Sequence, residues 1–147
     1  MPKFGSMEYM NEVMKRTNAD AEYERLSKEE TGSFTMILGA ETEKGIPKSI
    51  VVGYREEKGR ILEVWEGDRQ ADFVLSGPYG VWVDILLGKL GASKAFVTRK
   101  LKVRGNFLRI LQSSDSTMRW LEILRTIPTE FEGAYVSSSI KGGTLNG

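Results

Sequence analysis

Three pairs of carboxylates come nearest to acid–base chemistry in this 147-residue chain: Glu41 with Glu43, Glu56 with Glu57, and Glu63 with Asp68. Such pairs work when their surroundings push the two pKa values apart. Each pair lies in or beside an expected hairpin turn, where solvated carboxylates keep ordinary values and make poor acids. Nothing in the neighbouring sequence desolvates them. They read as turn residues. Two glycine-containing runs, Gly77-Pro78-Tyr79-Gly80 and Lys141-Gly142-Gly143-Thr144, lack both spacings by which backbone amides cradle phosphate, and also read as turns.

The chain has no Cys and no His. That excludes disulfides, thiol nucleophiles, Ser-His and Cys-His catalysis and the common zinc sites. No catalytic residue, metal or cofactor is expected. A net charge of +1 speaks against a nucleic-acid partner, which usually demands a large basic excess. The length fits one domain, and 40% hydrophobic with 28% charged residues is a globular composition. No apolar run reaches about 18 residues and no apolar signal core opens the chain, so a cytoplasmic protein is expected.

The elements that must position any site can be read from periodicity. Residues 6–30 form a helical layer. Ser6 is a candidate cap, Tyr9, Met10, Val13 and Met14 share one face, and a second piece starts at Asn18 or Asp20 and ends at Gly32. This layer is expected only to cover the core. Strand-like runs follow at 33–40, 48–55, 60–66 and 71–76, and a fifth at 99–104. Their short separators, Glu43-Lys44-Gly45, Glu57-Lys58-Gly59 and Gly67-Asp68, favour antiparallel hairpins. Strands and helices are segregated along the chain, so the class is α+β with a five-stranded, mainly antiparallel sheet covered by helices.

Pro78 opens an apolar helix that Ser76 or Gly77 can cap. Gly80, Asp84, Gly88 and Gly91 share one narrow strip of it, expected to face solvent or a close neighbour. After a short turn region and the fifth strand, Gly105-Asn106 opens a helical run at Phe107–Leu111, and residues 117–127 form a last amphipathic helix stopped by Pro128. The single domain is placed at 1–131, with the Gly- and Ser-rich stretch 132–147 expected to be a flexible tail.

Between Ile85 and Ser114 there are seven Lys and Arg residues and no acid. An apolar wall therefore stands beside a cationic strip. A wall lining a core and a wall lining a lipid look identical in periodicity. The second needs no catalytic residues: ten buried methylenes contribute roughly 8 kcal/mol before ordering costs. The strip, Lys89, Lys94, Arg99, Lys100, Lys102 and Arg104, suits an anionic headgroup or membrane surface, or a solvated strand face.

The run Leu86-Leu87-Gly88-Lys89-Leu90, then Lys94-Ala95-Phe96, then Lys100 to Asn106 resembles the sterol carrier protein family, the type-two nonspecific lipid-transfer proteins. Those proteins show L-x-G-K, then A-F, then G-K-L-K-x-x-G-[DN]. Ala71 to Ser76 looks like their strand before the helix and Phe107 to Leu111 like their closing helix, so the resemblance covers about residues 33–112. Arg99 departs from the pattern, standing where glycine is usual, and the helix at 115–127 is additional.

The resemblance implies a five-stranded sheet whose helices enclose an apolar tunnel for fatty acyl chains, acyl-CoA or sterols, without chemistry. Its apolar positions fall on Trp82, Ile85, Leu86, Phe96, Leu101, Val103, Phe107, Ile110 and Leu111, to which the last helix adds Trp120 and Leu124. The alternatives are a protein-interaction module, a homodimer whose mate fills the pocket, and an accessory domain of a lipid-metabolising enzyme.

Overall fold

Alternating side chains build the sheet. In the structure, a computed structural model that describes residues 1–143, β1 (Gly32–Gly39) turns Met36 and Leu38 inward. β2 (Ile50–Glu57) does the same with Val52 and Tyr54. β3 (Arg60–Glu66) pairs antiparallel with β2 across a two-residue turn, Lys58-Gly59. Both turn residues have positive φ, 50° and 81°, the twist that matches paired strands and that glycine adopts without strain.

β4 (Phe73–Pro78) corrects one expectation: Gly67-Asp68 does not close a third hairpin. The chain crosses to the free side of β1, where β4 pairs parallel to it, and β5 (Lys102–Arg104) then pairs antiparallel with β4. The order β3-β2-β1-β4-β5 is mostly antiparallel with one parallel pair. Contacts on the outer face hold the crossing. Thr35 Oγ1 donates to the Arg69 carbonyl at 3.1 Å, Ser33 N and Oγ donate to Asp72, and the Arg69 guanidinium lies 4.3 Å from the Trp65 ring.

Helices cover the inner face. α1 (Met7–Asn18) is capped by Ser6 and contributes Tyr9, Met10 and Val13. α2 (Ala21–Leu26) is capped by Asp20 rather than Asn18, and it stops at Leu26, Gly32 being the first residue of β1. α3 (Tyr79–Leu86) follows Pro78 but ends earlier than its apolar run. Gly88 is left-handed at φ 77°, so Gly88 and Gly91 do not share a helix face with Gly80 and Asp84.

α4 (Ala92–Val97) occupies what read as a turn region, and β5 is correspondingly shorter than the expected 99–104. α5 (Phe107–Gln112) is capped by Asn106, and α6 (Ser114–Leu124) starts almost at once after it.

The segment after Phe131, expected to hang loose, is bonded to the body as far as it is described; residues 144–147 of that expected tail lie outside the described residues. Phe131 is fully buried and packs edge-on against Phe4 at 5.4 Å. Thr129 and Ile140 exchange backbone hydrogen bonds, and Ser139 Oγ accepts from Phe131 N. The Tyr135 hydroxyl donates to Glu41 at 3.0 Å, while Glu41 accepts from Gly80 N at 2.6 Å and so satisfies the start of α3. A Cβ on Gly80 would collide with Tyr135. Small residues here permit close approach rather than flexibility.

Candidate functional site

The inner faces of β1 and β2 do not meet the helices in a solid core. Two cavities of about 110 and 90 Å³ remain between them and a third of about 140 Å³ adjoins these among α4, α5 and α6; Phe96 of α4 and Thr117 of α6 line all three. Interiors packed to native density leave few voids larger than a water molecule, so a row of cavities is unusual for a chain of this size. The first cavity is almost wholly apolar, with Met10 and Val13 from α1, Met36 and Leu38 from β1, Trp82 and Ile85 from α3 and Leu124 from α6 on its walls. Residues 6–30, read as mere covering, are therefore part of the wall.

Nine of the eleven apolar residues singled out in the sequence line this space. Trp82, Ile85, Leu86, Leu101 and Leu124 border the first cavity, Trp120 the first and second, Ile110 the second and third, Leu111 the third, and Phe96 all three. Val103 and Phe107 do not. Val103 pairs with Leu75 on the sheet edge, and Phe107, 39% exposed, stands edge-on to Phe96 with ring centres 6.2 Å apart. Their apolar character was correctly read, but a three-residue strand and a six-residue helix hold them outside the cavity.

Local bonding fixes the walls. The Trp82 indole donates to the Ile37 carbonyl at 3.0 Å. The Trp120 indole donates to Thr17 Oγ1 at 3.1 Å. Arg125 donates to the carbonyls of Leu86 and Ile85, satisfying the end of α3 from beyond α6. Leu101 packs on Gly77, where a Cβ would meet it at 2.6 Å.

The six cations are all exposed, and none makes an ion pair among the described residues. Lys102 and Arg104 alternate with Val103 along β5 and so leave the sheet on the face opposite the cavity.

The second cavity has a polar end that the sequence reading missed. Glu56, placed there in a turn, is only 2% exposed and lies on the inner face of β2, one alternation beyond Tyr54. Its Oε2 accepts from the Tyr23 hydroxyl at 2.8 Å. Burial pushes the Glu56 carboxyl up to about 7; the Tyr23 hydrogen bond and Arg109 hold it down, and Glu30 adds to the rise. The signal was present: Ile50, Val52, Tyr54 and Glu56 are one period-two series. Ending the strand at Arg55 cut the series one residue short.

The same architecture recurs in solved structures. A crystal structure of sterol carrier protein 2 matches with a TM-score of 0.76 at 17% identity, over 85% of this chain and 99% of that one. A solution structure of a conserved hypothetical protein from Thermus thermophilus matches at 0.75 and 17%, over 100% and 96%. The sterol carrier protein domain 2 of Helicoverpa armigera matches at 0.56 and 20%, over 82% and 91%. At such identities the likeness is one of fold. No curated protein sequence matches the chain. The sheet, α2 to α5 and most of α1 lie within residues 10–114, the stretch matched by the SCP-2 sterol transfer family, and the chain belongs to that family.

Proposed function

We propose that this protein binds one long, single-chain lipid in the connected cavities and carries it without transforming it. The observation that carries this reading is the row of adjoining apolar spaces in a chain otherwise packed to a buried core. An apolar cavity of about 150 Å³ accommodates benzene, so the first cavity alone takes only a short stretch of chain. A longer chain runs from one cavity to the next past Phe96 and Thr117. Each methylene so buried contributes about 0.8 kcal/mol, which is sufficient without catalytic machinery.

The third cavity supplies the mouth, because Gly91, Ser93, Ser114 and Met118 on its rim are exposed. Val97 and Leu108, 70% and 63% exposed, extend the apolar surface of α4 and α5. The strip Lys89, Lys94, Arg99, Lys100, Lys102 and Arg104 then meets an anionic membrane, and Lys89 and Lys94, which flank the rim residues Gly91 and Ser93 in the chain, the phosphates of an acyl-CoA.

Native mass spectrometry of the purified protein, followed by organic extraction, tests the reading. We expect a co-purified species of lipid mass that extraction removes. An apo mass unchanged by added fatty acid, fatty alcohol or long-chain acyl-CoA would sink it. A doubled mass that binds no lipid would transfer the cavity to a homodimer.

A further inference from the structure

Resting on the lipid-binding reading, the geometry points to the second cavity as a hydroxyl-recognition subsite, in which Tyr54 and Glu56 hold the uncharged alcohol end of a linear lipid and exclude a free carboxylate. Tyr54 and Glu56 stand two residues apart on the same face of β2. Tyr54 lines both the first and second cavities and is 7% exposed, and its ring stacks on Phe34 at 4.9 Å. Its hydroxyl has no hydrogen-bond partner among the described residues. Neither has Oε1 of Glu56, whose Oε2 is engaged by Tyr23. Neither atom is sealed off, so one donor and one acceptor without a protein partner among the described residues open toward the second cavity.

Of the other polar groups lining that cavity, only the Thr117 hydroxyl is without a partner among the described residues; Ser113 donates to the Arg109 carbonyl and the Trp120 indole to Thr17. Ser116 donates to Glu30 at 2.5 Å. Arg109 donates to the Thr31 carbonyl and stacks over Phe73 at 5.5 Å. The charged or titratable groups facing Glu56 are thus Tyr23 from α2, Glu30 from the connection into β1, Tyr54 from β2 and Arg109 from α5. Two acids against one partly engaged base make the site hostile to a second carboxylate.

An alcohol satisfies both vacancies at once, because its oxygen accepts from Tyr54 while its proton goes to Glu56. A carboxylate has no proton to give and brings a like charge. Sites that hydrogen-bond a hydroxyl discriminate far more sharply than apolar pockets do. Since the Glu56 carboxyl is pushed up to about 7, the exclusion of carboxylates relaxes in mild acid, when Glu56 becomes a donor itself.

The test is displacement of the uncharged apolar probe diphenylhexatriene by 1-tetradecanol and by myristate, at about pH 8 and about pH 5.5, on the wild type, Tyr54→Phe and Glu56→Gln. At about pH 8 the wild type should favour the alcohol by roughly tenfold or more, and at about pH 5.5 the gap should narrow several-fold. Tyr54→Phe should weaken the alcohol alone. Glu56→Gln should strengthen myristate and remove the pH dependence.

Myristate binding as tightly as the alcohol at the higher pH, as anchoring by Arg109 would produce, overturns the subsite while leaving lipid binding intact. So does a preference that survives Glu56→Gln. Failure of the protein to take up even diphenylhexatriene overturns the lipid-binding reading and the subsite together. Both substitutions are near-isosteric, and the wild-type pH comparison needs no variant.

Discussion

Glu56 illustrates how one residue's surroundings decide its chemistry. One residue along the strand, Glu57 carries the same carboxyl and is exposed to solvent. The raised value of Glu56 has a consequence for stability. A carboxyl whose folded pKa exceeds its unfolded value favours the native state fully below about 4.5, and that contribution is lost as pH rises through about 7. The wild type should therefore lose thermal stability between about pH 5 and pH 8. Glu56→Gln should not, and at the upper end it should be the more stable protein by up to about 3 kcal/mol. Melting curves across that range check this, and parallel curves for the two proteins would refute it. Of the residues that shape the site, the apolar ones were legible because helical spacing betrays a buried face. Glu56 was not, because a charged residue next to a Lys-Gly turn is most simply read as solvated.

At the scale of elements, α6 is the wall that converts a sheet surface into cavities. Trp120, Leu121 and Leu124 face the first cavity and Ser116 and Thr117 the second, an arrangement set by helical spacing. Thr117 stands where all three cavities meet. Thr117→Phe should fill that junction and lower affinity for a long-chain alcohol more than tenfold. The change in stability should stay within about 2 kcal/mol, since the added ring enters existing space rather than a packed core. Titration with 1-tetradecanol alongside denaturant unfolding separates the two effects, and unaltered affinity would show that the chain does not pass Phe96 and Thr117. Element boundaries were legible where caps marked them, as at Ser6 and Asn106. α4 was not, because six residues containing Ala95 and Phe96 are too short for a helical period to declare itself. The family match also starts at Met10, well before residue 33, so α1 and α2 belong to the shared architecture rather than overlaying it.

For the whole molecule, charge distribution matters more than charge total. A net charge of +1 gives no general attraction to an anionic surface, yet a run of seven cations without an acid spans residues 85–114. Each Lys or Arg near an anionic bilayer contributes about 1 kcal/mol, and the attraction is screened by salt. Sedimentation with phosphatidylserine-containing vesicles should show binding that falls as salt rises and that the double change Lys100→Glu, Lys102→Glu reduces by about tenfold or more. Equal binding to purely zwitterionic vesicles would contradict an electrostatic contact. No helix among the described residues is long and apolar enough to cross a membrane.

The sequence by itself determined the α+β class, the five strands, most of the apolar wall and the likeness to sterol carrier proteins. All of these follow from local periodicity and short motifs. Tertiary structure alone decided that β4 runs parallel to β1, that the segment after Phe131 is tied to Glu41 and Thr129, and that the apolar faces enclose cavities instead of closing on one another. The physical reason is common to all three. Periodicity records which side of an element is dry, whereas the partner that keeps it dry, or the space left between, depends on contacts between residues far apart in the chain.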